Sequence, residues 1–294
     1  MLEFHPVSLA DRDPIRAKLA AEPRLGCEYG FGNIFSYSAK YPILVGETGG
    51  CFFTRCVVDD YDYYCFPVGG DKRIAIRDLI ESARRVGKAS ELYGMTEADA
   101  AILEEAYPGR FVIEKARDSF DYVYTREDLV SLAGKKYQSK RNHISFFMRN
   151  CRWSYEPITP ETIPECLAMS EQWLEQNKNE YQDDLVAEFA IIQKAFANYE
   201  ALGYVGGLLR ADGKVVAYTM GEPLTDEMFC VHIEKAFADV RGAYPMINRL
   251  FAEQSLGGYR YINREDDVGH DNLRKAKLSY HPAFFVEKYE ARIL

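Results

Sequence analysis

Three consecutive carboxylates, Glu265, Asp266 and Asp267, head the densest polar run of the chain, Asn263 to Tyr280 (NREDDVGHDNLRKAKLSY). Like charges this close raise one another's pKa, which suits a general base. Arg274, Lys275 and Lys277 follow one to two helical turns later and can clamp a phosphate or balance the acids. The same order also suits a plain surface helix, with Asp271 as N-cap, acids before the start and bases toward the end. The run follows an apolar strand, Tyr259 to Asn263, and a strand end feeding a loop and helix is a usual place for a site. Asp266, Asp267, Arg274 and Lys277 are therefore catalytic candidates. Asn263, Arg264 and Glu265 are candidates for substrate contacts.

A second group lies on the expected central strand, Met228 to Phe237. Alternation puts Phe229, Val231 and Ile233 on one face and Cys230, His232 and Glu234 on the other. Glu234 is a further catalytic candidate, against the plainer reading of a satisfied residue on a half-buried strand. The strand leads through Asp239 to Ala243, where Arg241 and Gly242 open a helix. Backbone N–H groups at such a start can hold an anion such as pyrophosphate, although a lone R-G-A is a weak signal. Cys230 has no adjacent base that would make it a nucleophile.

The third group is GKKYQSKRNHISFFMRNCRW, Gly134 to Trp153. No acid occurs from Leu129 through Tyr155, while Lys135, Lys136, Lys140, Arg141, Arg149 and Arg152 do, in a chain of net charge −9. Such segregation makes a local field that attracts phosphates, lipid head groups or nucleic acid. Ile144, Phe147 and Met148 at helical spacing, extended by Cys151, predict an amphipathic helix. Lys135, Lys136, Lys140, Arg141 and Asn142 are the anion-binding candidates, and a solvated helix joining two halves is the plainer alternative.

These groups need a scaffold. At 294 residues, 47% hydrophobic and 28% charged, the chain fits a globular protein of one large or two modest domains. No apolar run is long enough to span a membrane, and the N-terminus lacks a signal pattern. The seven scattered Cys form no C-x-x-C, and the five His show no metal-ligand spacing. Reduced thiols, a cytoplasmic location and no metal are expected.

The first half reads as a helix at Asp11 to Ala21 and strands at Asn33 to Tyr37, Ile43 to Gly46, Cys51 to Val58 and Tyr61 to Pro67. A Gly-rich loop then precedes a helix through Ile74 and Ile80. A short strand follows at Leu92 to Met95, then a helix capped by Thr96 and closing strands. The second half repeats this grammar. It has a helix after Thr159-Pro160-Glu161, a helix from Asp184 to Leu202 stopped by Gly203, and a hairpin at Asp212-Gly213. The central strand and its following helix come next, then short final strands. PVGGDKRIAIRDLI in the first half answers ADVRGAYPMINRLF in the second. Two mixed α/β domains are predicted, residues 1–130 and 153–294, joined by the basic helix at 131–152.

LAGKKYQSKRNHISFF, WSYEPITPETIPEC, YRYINREDDVGHDNLRKAKLSYHP and the final EKYEARI resemble a bacterial family of uncharacterised proteins. That family is related to the C-terminal catalytic domain of phosphatidylglycerol lysyltransferases. The resemblance covers nearly the whole chain, DSFDYVYTREDL included. It implies two acetyltransferase-like (GNAT) domains in tandem, similar to the Fem-type aminoacyl-tRNA-dependent peptidyltransferases, with a basic helix between them at Gly134 to Arg152. In the synthases an aminoacyl group moves from aminoacyl-tRNA to a lipid head group, with no covalent enzyme intermediate required. The residues that match are Lys140, Arg141 and Asn142, and Asn263, Arg264, Glu265, Asp266, Asp267, Arg274 and Lys277. Unlike the synthases, this sequence shows no N-terminal membrane domain, which leaves the acceptor open.

Three functions follow as expectations. The first is an acyl or aminoacyl transferase using aminoacyl-tRNA, with tRNA and an anionic lipid head group as partners and peripheral contact with a membrane. Here Asp266 or Asp267 is the base and Arg274 or Lys277 the oxyanion stabiliser. The second is an acetyl-CoA- or acyl-CoA-dependent N-acyltransferase with its pyrophosphate on Arg241 to Ala243. The third is a non-catalytic module that binds an anionic partner through the basic helix.

Overall fold

The structure is a computed structural model that describes residues 2–59, 61–177 and 182–294. Its strands are β1 (Phe4–Pro6), β2 (Ile43–Thr48), β3 (Cys51–Val58), β4 (Tyr61–Cys65), β5 (Val68–Gly69), β6 (Ala89–Met95), β7 (Phe111–Lys115) and β8 (Asp121–Thr125). They continue as β9 (Trp153–Pro157), β10 (Val205–Ala211), β11 (Lys214–Pro223), β12 (Met228–Ala236), β13 (Tyr261–Asn263), β14 (Phe284–Val286) and β15 (Tyr289–Ile293). They form two mixed sheets. One runs β1-β2-β3-β4-β6-β15-β7 with β5 on β3, and the other runs β14-β8-β13-β12-β11-β10-β9.

Two compact units carry these sheets. The first comprises Met1–Asp121, Asp266–His270 and Phe285–Leu294, and the second Tyr122–Glu265 and Asp271–Phe284. The Gln138–Asn150 helix of the basic segment belongs to the second unit.

Each unit contains a parallel strand pair, β4 with β6 and β12 with β13. Parallel neighbours need a crossover, and a helix supplies it in both cases: Lys72–Val86 and Ala243–Gln254. These are the two segments whose sequences answer one another. The first helix starts on Asp71, whose side chain accepts from the N–H groups of Arg73 and Ile74. The second starts on Gly242 at φ 95°, where a Cβ would collide with the carbonyl oxygen of His143, so only Gly permits this close approach. The antiparallel neighbours β10 and β11 close through a two-residue turn. Asp212 and Gly213 take φ 50° and 86° between β10 and β11, as the hairpin signal predicts.

Three expectations are corrected. Residues Asn33 to Tyr37 are helical, within Phe31–Tyr37, not a strand. Phe31, Ile34 and Phe35 are buried at helical spacing, and burial of that stripe overrides the β propensity of its aromatics. Met148 is 46% exposed, so only Ile144 and Phe147 anchor the basic helix. The long helix of the second half is interrupted at Asn198, giving Gln182–Ala197 and Tyr199–Leu202 before Gly203 stops it at φ 70°.

The C-terminal strand β15 lies between β6 and β7 of the first unit. Just before it, Lys288 is buried among first-unit acids. Its Nζ lies 2.7 Å from Asp121 Oδ1, 2.6 Å from Glu28 Oε2 and 3.6 Å from Cys27 Sγ. Asp121 Oδ2 accepts the Cys27 N–H at 2.8 Å. Burial works against the ammonium, but Asp121, Cys27 and Glu28 hold its pKa well above the ordinary lysine value. All seven Cys are free thiols.

Candidate active site

The site forms where the parallel pair of the second unit comes apart. β12 and β13 pair through Met228–Tyr261, Phe229–Ile262 and Cys230–Asn263, and no pairing follows. Val231 to Glu234 on one strand and Arg264 and Glu265 past the other then wall a cavity of about 490 Å³. Lys140 and His143 of the basic helix close it, with Glu188, Tyr244 and the Leu273, Ala276, Lys277 and Tyr280 face of the Asp271–Leu278 helix and its end. A crevice at the diverging ends of parallel strands, of this volume, is a usual ligand site.

β12 is also distorted here. Met220 of β11 faces Ile233 and Gly221 faces Val231, so His232 is the extra residue of a bulge. Gly221 allows it, because a Cβ there would collide with the Cys230 carbonyl. A lone Gly inside a strand pattern is the one sequence signal for this bulge.

Glu234 is held on both oxygens. Arg264 Nη2 donates to Oε1 at 2.7 Å and Asn248 Nδ2 to Oε2 at 3.2 Å. The Arg264 guanidinium lies 5.5 Å and 4.8 Å from the ring centroids of Tyr124 and Tyr280, a cation–π arrangement. Its Nη1 is buried without a hydrogen-bond partner. Burial opposes the charge on Arg264, but Glu234 and the two tyrosines raise its pKa. Lys140 Nζ sits 3.9 Å from the centroid of the other ring contact, Tyr280. Burial, with Arg264 nearby, pushes its pKa down to about 8. Lys277 Nζ donates to the Arg264 carbonyl at 2.6 Å, which ties the helix to the loop after β13.

His232 is held between two carboxylates, Nδ1 to Glu265 Oε1 at 2.8 Å and Nε2 to Glu222 Oε1 at 3.2 Å. Burial disfavours the imidazolium, yet Cys230, Tyr204 and Glu222 bring its pKa well above the usual value. Glu265 has φ 57°, and its N–H donates to the Oδ1 of buried Asn263 at 2.7 Å. A non-Gly residue at positive φ is costly, and the Asn263 bond fixes it.

Of the candidates, the cavity thus gathers Glu234, Arg264, Glu265, Lys277 and Lys140, with Asn263 supporting Glu265 from behind. Others sit elsewhere. Asp267, a catalytic candidate, is fully buried in the first unit. Its Oδ1 accepts the Gly269 N–H at 3.0 Å and its Oδ2 lies 3.6 Å from Arg117, so it braces a loop in which Val268 and Gly269 have positive φ. Asp266 is half-buried in the same unit. Arg274 is half-buried on the helix face beside the cavity-lining one. Arg141 Nη1 donates to the Leu132 and Gly134 carbonyls and so closes the turn before the basic helix. Lys135, Lys136 and Asn142 are exposed. Arg241 lies over the Phe146 ring at 4.5 Å, and Gly242 is taken up by packing against His143. Asn248, Tyr124, Tyr280 and Glu222 were not singled out from the sequence. Their roles depend on partners far along the chain.

The structure resembles the crystal structure of a conserved protein of unknown function from Bacteroides thetaiotaomicron, with a TM-score of 0.94 and 39% identity over 100% of both chains. It is also similar to the structure of L-PGS from Bacillus licheniformis, with a TM-score of 0.65 and 15% identity over 96% of this chain and 91% of that one. An uncharacterised protein of Mycoplasmoides gallisepticum is 26% identical over 189 residues, and the match spans 60% of this chain and 57% of that relative. The expected pair of GNAT-like mixed sheets in tandem is the architecture observed. The model of the family described as phosphatidylglycerol lysyltransferase, C-terminal, matches residues 20–292, and the chain belongs to that family.

Proposed function

We propose that this protein is an aminoacyltransferase that takes the aminoacyl group from aminoacyl-tRNA and passes it to an amine or hydroxyl acceptor in the second-unit cavity. The observation that carries the reading is the fixed Glu234 carboxylate, paired with Arg264, in a cavity also lined by Lys140 and Lys277. Family membership and the tandem fold support it. In this reading Glu234 accepts the proton of the attacking amine or hydroxyl. Lys140 faces the oxyanion that develops as the ester carbonyl becomes tetrahedral. The carbonyl then re-forms, the new amide or ester bond is kept, and the tRNA ribose hydroxyl leaves with a proton. The exposed Lys135, Lys136 and Arg149 supply phosphate contacts for the donor. The acetyl-CoA alternative is weaker, because Gly242 packs against His143 and the helix start it would use is taken.

Charge reversal of Lys135 and Lys136 together is expected to weaken tRNA binding at low salt, with the difference from wild type shrinking as salt rises. Filter binding across a salt series checks this. Equal affinities at low salt would remove the basic helix from the donor site.

Transfer is also expected to depend on Lys140 charge. Its pKa of about 8 lies below the ordinary lysine value, so the ammonium is present below pH 8 and lost above it. The pH profile of kcat/KM should therefore fall through about pH 8. The Lys140→Arg variant should move that limb upward, since guanidinium does not titrate there. An unchanged limb in the variant would assign it to another group.

A further inference from the structure

The lysines in and beside the second-unit cavity differ in what holds their ammonium groups. Lys277 Nζ donates to the Arg264 carbonyl at 2.6 Å. Lys235, next to Glu234 on β12, is paired with Glu188 at 2.7 Å. Lys140 lines the cavity too, but among the described residues it makes no ion pair. Its Nζ instead lies 3.9 Å from the centroid of the Tyr280 ring. The Arg264 guanidinium lies over the same ring at 4.8 Å, so a like charge shares it. Glu234 is already bound by Arg264 and Asn248. An amine placed in this way is pressed toward its neutral, nucleophilic form.

We propose that Lys140 Nζ is an acylation site, which takes a small acyl group from an acyl phosphate that enters the second-unit cavity.

The placement of the amine carries this assignment. Lys140 is half-buried on the Gln138–Asn150 helix, which Ile144 and Phe147 anchor, and it opens on about 490 Å³ of space. That space has room for a two-carbon acyl group and its phosphate. Arg264 and Lys277 line the cavity as well, and such cations draw in a dianionic leaving group. Of the charged groups nearby, Arg264 disfavours the ammonium and Glu234 favours it. His143, Glu188, His232, Tyr244, Glu265 and Lys277 complete the titratable lining. Burial, with Arg264, brings the Lys140 pKa down to about 8. A group with that pKa is about one-quarter neutral at pH 7.5, against about 0.1% for a lysine at the ordinary value of about 10.4.

The step is a simple acyl transfer. Neutral Nζ attacks the acyl carbonyl and a C–N bond forms. The C–O bond to phosphate breaks, and phosphate leaves with that electron pair and picks up the proton that the nitrogen sheds. The product is an uncharged amide, which ends the like-charge contact with Arg264. Within the transfer reading it also removes the cation that faces the oxyanion, and so switches the site off. That consequence alone rests on the transfer reading.

The test reads mass and no transfer, so its failure leaves that reading standing. The full chain is incubated with acetyl phosphate at pH 7.5, and label at each lysine is followed by peptide mass spectrometry. Lys140 should acquire acetyl at least about tenfold faster than Lys135 and Lys136, although those two are exposed and it is not. The Lys140 rate should level off above about pH 8, where the amine is already neutral. In protein unfolded with guanidinium chloride the preference should vanish. Glu234→Gln removes the charge that favours the ammonium, so it should raise the Lys140 rate at pH 7 by about 3–10-fold. Labelling of Lys135 or Lys136 as fast as Lys140, a preference that survives unfolding, or an unchanged Lys140 rate in Glu234→Gln would each overturn the proposal.

Discussion

Lys288→Met is expected to cost about 3–5 kcal/mol of folding stability, because removing one partner of a buried ion group strands the others. Lys288 is 4% exposed and Asp121 is fully buried, so neither charge can turn to water. The substitution takes the Lys288 ammonium away from Asp121 and Glu28. A typical protein has a net stability of about 5–15 kcal/mol, so this single change removes a large part of it. The group also stands at the entry to β15, which pairs with β6 and β7. Because the folded pKa of Lys288 is raised, its stabilisation is fully present below the ordinary lysine range and is lost only as pH climbs through the raised value. The deficit of the variant should therefore be constant from about pH 6 to about pH 9. Urea unfolding followed by circular dichroism measures it. Adding Asp121→Asn and Glu28→Gln to Lys288→Met should return part of the loss. A deficit under about 1 kcal/mol would mean that the lysine does not lock the first unit.

The second large effect concerns Glu234. Glu234→Gln keeps the size of the side chain and can still accept from Arg264, but it cannot take a proton. General-base loss lowers rate by about 10²–10⁴-fold, and here the fall should appear in kcat with KM little changed. Glu234 is half-buried on β12, and its two partners come from the loop after β13 and the crossover helix. Arg264→Met should therefore also lower the rate, by releasing the carboxylate from its fixed position. Full activity in Glu234→Gln would return the base role to other carboxylates, with Glu265 next in line at the same cavity.

Much of the fold was legible because it is written locally. The Asp212-Gly213 hairpin, the Thr96 cap, the Gly203 stop and the paired crossover helices each rest on residues within a few positions of one another. What escaped rests on distant partners. No local pattern could tell that β15 would lie between β6 and β7, or that Asp267 would be buried beside Arg117. The three-acid run shows the limit well. Local density flagged Glu265, Asp266 and Asp267 together, but the chain leaves the second unit between the first and second of them, so only Glu265 reaches the cavity. The basic segment divides in a similar way. Helical rotation turns Lys140 inward to Tyr280 while Lys135 and Lys136 stay in water.

The central claim is that the second-unit cavity serves an aminoacyl-tRNA donor. The most direct measurement is the thermal unfolding of wild-type and Lys140→Glu protein with aminoacyl-tRNA, deacylated tRNA, acetyl-CoA or no ligand. A ligand at a hundredfold excess over its Kd stabilises the folded state by about 2.7 kcal/mol. Aminoacyl-tRNA should raise the wild-type midpoint well above the value with deacylated tRNA, acetyl-CoA should leave it unchanged, and Lys140→Glu should lose the difference between charged and uncharged tRNA. A rise with acetyl-CoA alone, or equal rises with charged and uncharged tRNA in both proteins, would contradict it.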